Sequence, residues 1–62
     1  MWVIKVYFGN GTWYRGICER ECYYKSTAKK KLLRDFKDNY TPAEIKARGN
    51  AKYEVYYYRG AV

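Results

Sequence analysis

The first residues of the chain alternate between two kinds of side chain with the period of a β-strand. Between Trp2 and Phe8 the even positions are apolar, whereas the odd positions hold Val3, Lys5 and Tyr7. Because neighbouring side chains of a strand point to opposite faces, this segment predicts a strand with one buried face.

The residues after this strand predict a hairpin. Asn10-Gly11 stands between two aromatic-rich segments, and both residues tolerate the positive φ of a type I′ turn. A two-residue loop places Trp13 on the buried face, but it also places Arg15 there, opposite Val6. Two resolutions are open: Arg15 lies at the periphery of the sheet, or a bulge near Gly16 resets the alternation.

A β-like segment and then a helix follow the hairpin turn. Residues Thr12 to Lys25 are β-like but are interrupted by the charged triplet at 19–21, so we expect two short strands rather than one long one. Ser26 or Thr27 is typical of a helix N-cap. Apolar side chains then recur every four residues, at Ala28, Leu32, Phe36 and Tyr40. This spacing predicts an amphipathic helix whose apolar stripe packs on the sheet.

The last third of the chain predicts a short helix and a strand. Thr41-Pro42-Ala43-Glu44 combines an N-cap, a first-turn proline and a capping-box glutamate, and Gly49 can end the helix in the left-handed conformation. Ala51 to Arg59 alternates as a strand. The chain thus predicts a single domain, 1–62, of the α+β class. Its small two-layer antiparallel sheet of three to four strands packs on one amphipathic helix plus a short second helix, in the order β-β-(β)-α-α-β.

Composition narrows the class of protein. The 62 residues carry 13 Lys and Arg against 6 Asp and Glu, a formal charge of +7, and include nine Tyr, two Trp and two Phe. This aromatic content argues against disorder, and no apolar run approaches the roughly 20 residues of a membrane span. We expect a folded domain with no membrane segment, no signal peptide and a cytoplasmic location, in the host cell if the chain is phage-encoded.

The residue types that enzymes use most are scarce. The chain has no His, the commonest general base, and Gly9-Asn10-Gly11 lacks the lysine of a phosphate-binding loop. Two pairs of carboxylates would each share a face and have basic neighbours, which is typical of solvated surface: Glu19 with Glu21, and Asp35 with Asp38. We expect no enzymatic activity, no catalytic residue and no cofactor.

Cys18 and Cys22 are the two cysteines of the chain. Two thiolates do not complete a tetrahedral zinc site unless a dimer pools four, so we expect no metal. If the segment is extended, the two Cα atoms lie about 13 Å apart, too far for a disulfide. The spacing therefore predicts free, reduced thiols, as in a cytosolic protein.

The tyrosines exceed what one buried face can hold. Tyr56, Tyr57 and Tyr58 are consecutive, so they cannot all face the helix. We expect an uncovered sheet face that carries Tyr7, Tyr14, Tyr56 and Tyr58 together with Lys5 and Lys52. Three explanations are open: tyrosine serves only as a good strand former, the face stacks on unpaired bases, or it forms a protein interface or a homodimer.

Basic residues are spread along the chain, with a local excess on the first predicted helix. Its outer side would carry Lys29, Lys30, Lys31, Arg34 and Lys37. A solvated helix face explains such a run. Three cations in the first turn would however oppose the helix dipole, which favours a use in contacting phosphates or an acidic protein surface.

Part of the chain resembles a known family. Gly11-Thr12-Trp13-Tyr14-Arg15-Gly16, followed by the predicted helix from Ser26 to Phe36, resembles the sheet-plus-helix arm-binding domains at the start of tyrosine recombinases, which read DNA through the sheet. The resemblance covers less than half of the chain, and the second helix and the last strand do not belong to it. In size and composition the chain is also similar to small phage or mobile-element accessory proteins, many of which disable a bacterial enzyme or defence complex.

Together these features favour a small non-enzymatic module that contacts nucleic acid through a basic helix and a Tyr-rich sheet face. The alternative is a phage-like accessory protein that binds and inhibits or modulates a bacterial protein complex. The two hypotheses differ in whether the tyrosines and lysines form one continuous surface or two separate patches.

Overall fold

The computed structural model describes residues 1–18 and 23–59. The elements are β1 (Trp2–Phe8), β2 (Trp13–Cys18), α1 (Lys25–Asn39), α2 (Pro42–Ala47) and β3 (Ala51–Tyr57). The strands form one antiparallel sheet in the order β2-β1-β3, which confirms the predicted α+β fold with a main and a short second helix. The expected second short strand within Thr12 to Lys25 is wrong in its described part, because Tyr23 and Tyr24 lie in no strand and Lys25 already belongs to α1. No helix in the described part is long and apolar enough to cross a membrane.

The core lies between one side of the sheet and α1, as the two periodicities predict. The even positions of β1 meet one stripe of α1, and the side chains at the centre are at most 5% exposed: Ile4, Val6, Phe8, Ala28, Leu32 and Phe36. Burying a large apolar side chain stabilises a fold by about 1.5–3 kcal/mol. This stripe therefore fixes which side of the sheet is covered.

The hairpin loop is one residue longer than predicted. The Gly11 amide donates to the Phe8 carbonyl (3.1 Å), and the Phe8 amide donates to the Thr12 carbonyl (2.9 Å), so the loop is the three residues 9–11. Gly11 has a φ of 89°, and the Asn10 side chain accepts hydrogen bonds from the Thr12 amide and hydroxyl. A three-residue loop with a left-handed third residue is a common hairpin class.

The extra loop residue changes which side of the sheet each residue of β2 faces. A shift of one position moves every side chain of a strand to the opposite face. Arg15 pairs with Lys5 and Tyr14 with Val6, so the shift of register removes Arg15 from the core side. Trp13, predicted on the core side, lies on the other side. The predicted hairpin pairing is therefore wrong.

The second helix has the predicted N-cap and end, but the predicted capping box is wrong, because the Glu44 carboxylate accepts from Arg48 instead (3.2 Å). The Thr41 hydroxyl accepts a hydrogen bond from the Glu44 amide (3.2 Å). At the other end, Gly49 is left-handed with a φ of 85°. The Asn50 amide donates to the Ile45 carbonyl (3.0 Å), which satisfies an end carbonyl of the helix.

The first helix begins earlier than predicted. Tyr24 is its N-cap, has an extended backbone and makes no side-chain cap, and the helix starts at Lys25. The predicted caps Ser26 and Thr27 are therefore wrong. The run Lys29–Lys31 therefore lies beyond the first turn. Because the helix dipole acts mainly within the first turn, the three lysines do not oppose it as predicted.

Arg48 joins the end of α2 to the hairpin. Its guanidinium carbon lies 5.2 Å from the ring centroids of both Phe8 and Tyr40. The guanidinium also donates to the Thr12 hydroxyl (3.0 Å) and to the Glu44 carboxylate (3.2 Å). These contacts fix the loop end of the sheet to the helical layer.

Cys18, at the end of β2, is disulfide-bonded, so the expectation of free, reduced cysteines is wrong. The other cysteine of the sequence, Cys22, lies outside the described residues. The separation of about 13 Å assumed one strand through both positions, and the residues between them lie outside the described part. A cytoplasmic location remains a prediction, without the support of reduced thiols.

Candidate functional site

The side of the sheet that faces away from α1 is the candidate site. Directly paired residues of an antiparallel sheet share a face, so the register assigns its members. This open face consists of Val3, Lys5, Tyr7, Trp13, Arg15, Ile17, Lys52, Glu54 and Tyr56, together with Tyr58. Tyr58 extends the β1–β3 pairing, because its amide donates to the Met1 carbonyl (2.8 Å).

Aromatic rings occupy both ends of the open face. Trp13 is 59% exposed, Tyr7 48% and Tyr58 43%, so each presents ring surface to solvent. Val3, at the other end from the loop, is fully buried although it lies on this side. Ile17 and Tyr56 flank it in the register. The open face therefore combines a buried aliphatic side chain, Val3, with aromatic rings that are accessible to solvent.

Two of the cations of the open face lie beside these rings. The Lys5 ammonium is 5.3 Å from the ring centroid of Tyr7 and 5.5 Å from that of Trp13. The Arg15 guanidinium carbon is 5.8 Å from the ring centroid of Tyr58. Cation–π attraction holds such groups near the rings without neutralising them. Charge and stacking surface thus occur together on one face.

Three of the four predicted tyrosines lie on the open face, and Tyr14 does not. Its ring packs on the helix side, with centroid distances of 5.4 Å to Phe36 and 5.5 Å to Tyr40. Burial, and secondarily the negative charge of Asp35, raises the pKa of Tyr14 above that of a free tyrosine. The placement of Tyr14 on the uncovered face is therefore wrong, and the shifted register is the reason.

The predicted basic cluster lies in the helical layer, away from the open face. Its members are Lys29, Lys30, Lys31, Arg34 and Lys37, all on α1. The Lys29 ammonium is 5.7 Å from the ring centroid of Tyr53, on the helix side of the sheet. Lys31 forms an ion pair of 2.9 Å with Asp35. The open-face tyrosines and the cluster form two separate patches, so the basic helix and the Tyr-rich face do not make one continuous surface for nucleic acid.

Besides Val3 and Glu54, three open-face residues were not among the predicted site residues: Trp13, Arg15 and Ile17. All three are on β2, whose faces the two-residue loop had exchanged. The signal that could have found them was the conflict at Arg15, since a charged side chain on a core face indicates a wrong register.

The described residues contain no group of three or more His, Cys, Asp and Glu side chains placed to hold a metal ion. Of the two carboxylate pairs singled out in the sequence, Glu19 and Glu21 lie outside the described part. Asp35 is engaged by Lys31.

Comparison of the chain with protein families, with characterised proteins and with solved structures gave no match. The function must therefore be inferred from the geometry of the chain itself.

Proposed function

We propose that the protein is a non-enzymatic module that binds single-stranded nucleic acid through the open face. One observation carries the proposal: four aromatic rings, three of them exposed and one half-buried, share with three cations the side of the sheet that faces away from α1. The rings are those of Tyr7, Trp13, Tyr56 and Tyr58, and the cations are Lys5, Arg15 and Lys52.

Stacking explains why the ligand is a single strand. Unpaired bases stack on exposed aromatic rings, at about 1–3 kcal/mol per base, whereas paired bases in a duplex do not expose their faces. Tyr7 and Trp13 present such rings at the loop end of the sheet, and Tyr58 presents one at the other end. A seven-residue strand spans about 20 Å, enough for a short extended segment of nucleic acid.

The open face also supplies the charge that a polyanion requires. The Lys5 ammonium lies over the rings of Tyr7 and Trp13, so a base that stacks on these rings brings its phosphate close to the ammonium. Arg15 is placed in the same way beside Tyr58. The basic cluster of α1 lies in the other layer of the fold, so the open face supplies its own cations. Nucleic-acid contact therefore does not need the helix.

A matched pair of arginine substitutions tests the location of the contact. Arg15→Gln removes a charge from the open face, and Arg34→Gln removes the same charge from α1. We expect R15Q to weaken binding of a fluorescent single-stranded oligonucleotide and to reduce the slope of log affinity against log salt by about 0.7, the value for one phosphate contact. R34Q should change neither quantity measurably.

The opposite result, a lower slope for R34Q and an unchanged one for R15Q, would move the contact to the basic cluster. If neither single-stranded DNA nor RNA binds at low salt, the proposal is wrong. The alternative, a protein partner, would then be favoured by the exposed apolar surface of Ile17, which is 49% exposed, and Trp13.

A further inference from the structure

Glu54 is an acidic residue on a face that is otherwise basic and aromatic. It lies on β3, directly opposite Lys5 of β1, and is exposed. A carboxylate repels phosphates, so its presence on a surface for nucleic acid needs its own explanation.

The cations in the same row do not neutralise Glu54. A lysine directly opposite a glutamate in a sheet normally pairs with it. The Lys5 ammonium instead lies over the rings of Tyr7 and Trp13, towards β2. Arg15, the next residue in the row, reaches the ring of Tyr58. Among the described residues Glu54 therefore makes no ion pair, and its carboxylate is available to a ligand.

We propose that Glu54 selects bases by their exocyclic amino groups, so that the open face prefers cytosine to uracil or thymine. This inference rests on the proposed function. A carboxylate accepts a hydrogen bond from the N4 amino group of cytosine. Uracil and thymine carry a carbonyl oxygen at that position, and two acceptors facing each other repel.

The neighbours of Glu54 suit this role. Tyr56 lies two residues along the same face, about 7 Å away along the strand, and is half-buried, so part of its side chain is accessible on this face. Lys52 lies at the same spacing on the other side and is exposed. A base stacked on Tyr56 can thus direct its polar edge to Glu54, while its phosphate lies near a cation.

The test compares oligonucleotides of deoxycytidine and deoxyuridine, which differ in the amino or carbonyl group but have rings of similar size. For the unmodified protein we expect at least about fivefold tighter binding of the cytosine oligomer, measured by fluorescence anisotropy. Glu54→Gln replaces the carboxylate by a group that also donates, and it should bring the two affinities within about twofold. The matched control is Asp38→Asn, which removes one negative charge from the exposed side of α1 and should leave the preference unchanged.

Three results would overturn the inference, and they differ in whether they also refute the proposed function. Equal binding of the two oligomers by the unmodified protein refutes base selection but leaves the open-face proposal intact. If the preference for the cytosine oligomer persists in E54Q as it does in D38N, Glu54 does not select the base and contributes only its charge. Absence of binding to either oligomer removes the proposed function and this inference together.

Discussion

Replacing Tyr7 by alanine is expected to weaken the binding of a single-stranded oligonucleotide by about 5- to 150-fold. The ring lies on the open face, is 48% exposed and shares the Lys5 ammonium with Trp13. Loss of one base-stacking ring costs about 1–3 kcal/mol, which sets this range. Equilibrium titration at fixed salt measures the effect.

The chain offers a matched control in Tyr53. Its ring is 49% exposed, nearly the same as that of Tyr7, but it lies on the helix side of the sheet. Tyr53→Ala should leave affinity within about twofold of the unmodified protein, and so should Tyr7→Phe, which keeps a stacking ring. Equal losses from Tyr7→Ala and Tyr53→Ala would contradict a site on the open face.

Gly9→Ala is expected to destabilise the fold by at least about 2 kcal/mol. A Cβ atom at Gly9 would lie 2.3 Å from the carbonyl oxygen of Gly49, a backbone atom that no side-chain rotation can move. The two loops are also joined where the Gly9 amide donates to the Asn50 carbonyl (3.1 Å) and the Asn10 amide to the Arg48 carbonyl (2.8 Å). A chain of this size has a total stability of about 3–9 kcal/mol, so the loss is a large part of it. Urea denaturation measures the change.

Gly11→Ala is the matched comparison, because it measures the cost of a left-handed backbone without the cost of a steric clash. Gly11 has a positive φ, but no atom would lie within 4 Å of an added Cβ. The expected cost is that of the left-handed conformation, about 1 kcal/mol. If G9A were as stable as the unmodified protein, or more stable than G11A, the close approach of the Gly9 and Gly49 backbones would be contradicted.

The fold could be predicted from the sequence because its signals are local. The alternation of β1 and the four-residue spacing from Ala28 to Phe36 each identify one element and its buried side. Thr41 and Gly49 mark the ends of α2 through the hydrogen bonds that they make. None of these inferences requires knowledge of how the elements are arranged.

The candidate site could be predicted only in part, because it depends on the register between strands. Tyr7, Tyr56 and Tyr58 follow from alternation within a single strand. The faces of Trp13 and Arg15 depend on whether the hairpin loop has two residues or three, and the Asn10-Gly11 pair indicated the shorter loop. In the structure Gly9 belongs to the loop as well, and its contact with Gly49 is made across the fold, where local sequence gives no signal.

The separation of the two patches also required the three-dimensional arrangement. Lys29 to Lys31 form the densest basic run in the sequence, and a run of this kind dominates an interpretation based on composition. The open face draws its cations from three strands, at Lys5, Arg15 and Lys52, where no two are adjacent in the chain. Such a surface becomes visible only when the strands are aligned.

The two tryptophans of the chain provide the most direct test of the open face, because they lie on opposite sides of the sheet. Trp13 is on the open face, and Trp2 packs edge-on against Tyr57 on the helix side, with ring centroids 5.3 Å apart. In a Trp2→Phe variant, the fluorescence of Trp13 is expected to be quenched as a single-stranded oligonucleotide is added, since the base stacks on the indole. In a Trp13→Phe variant, the fluorescence of Trp2 should stay constant over the same titration. Quenching of Trp2 while Trp13 is unaffected at saturation would contradict binding through the open face.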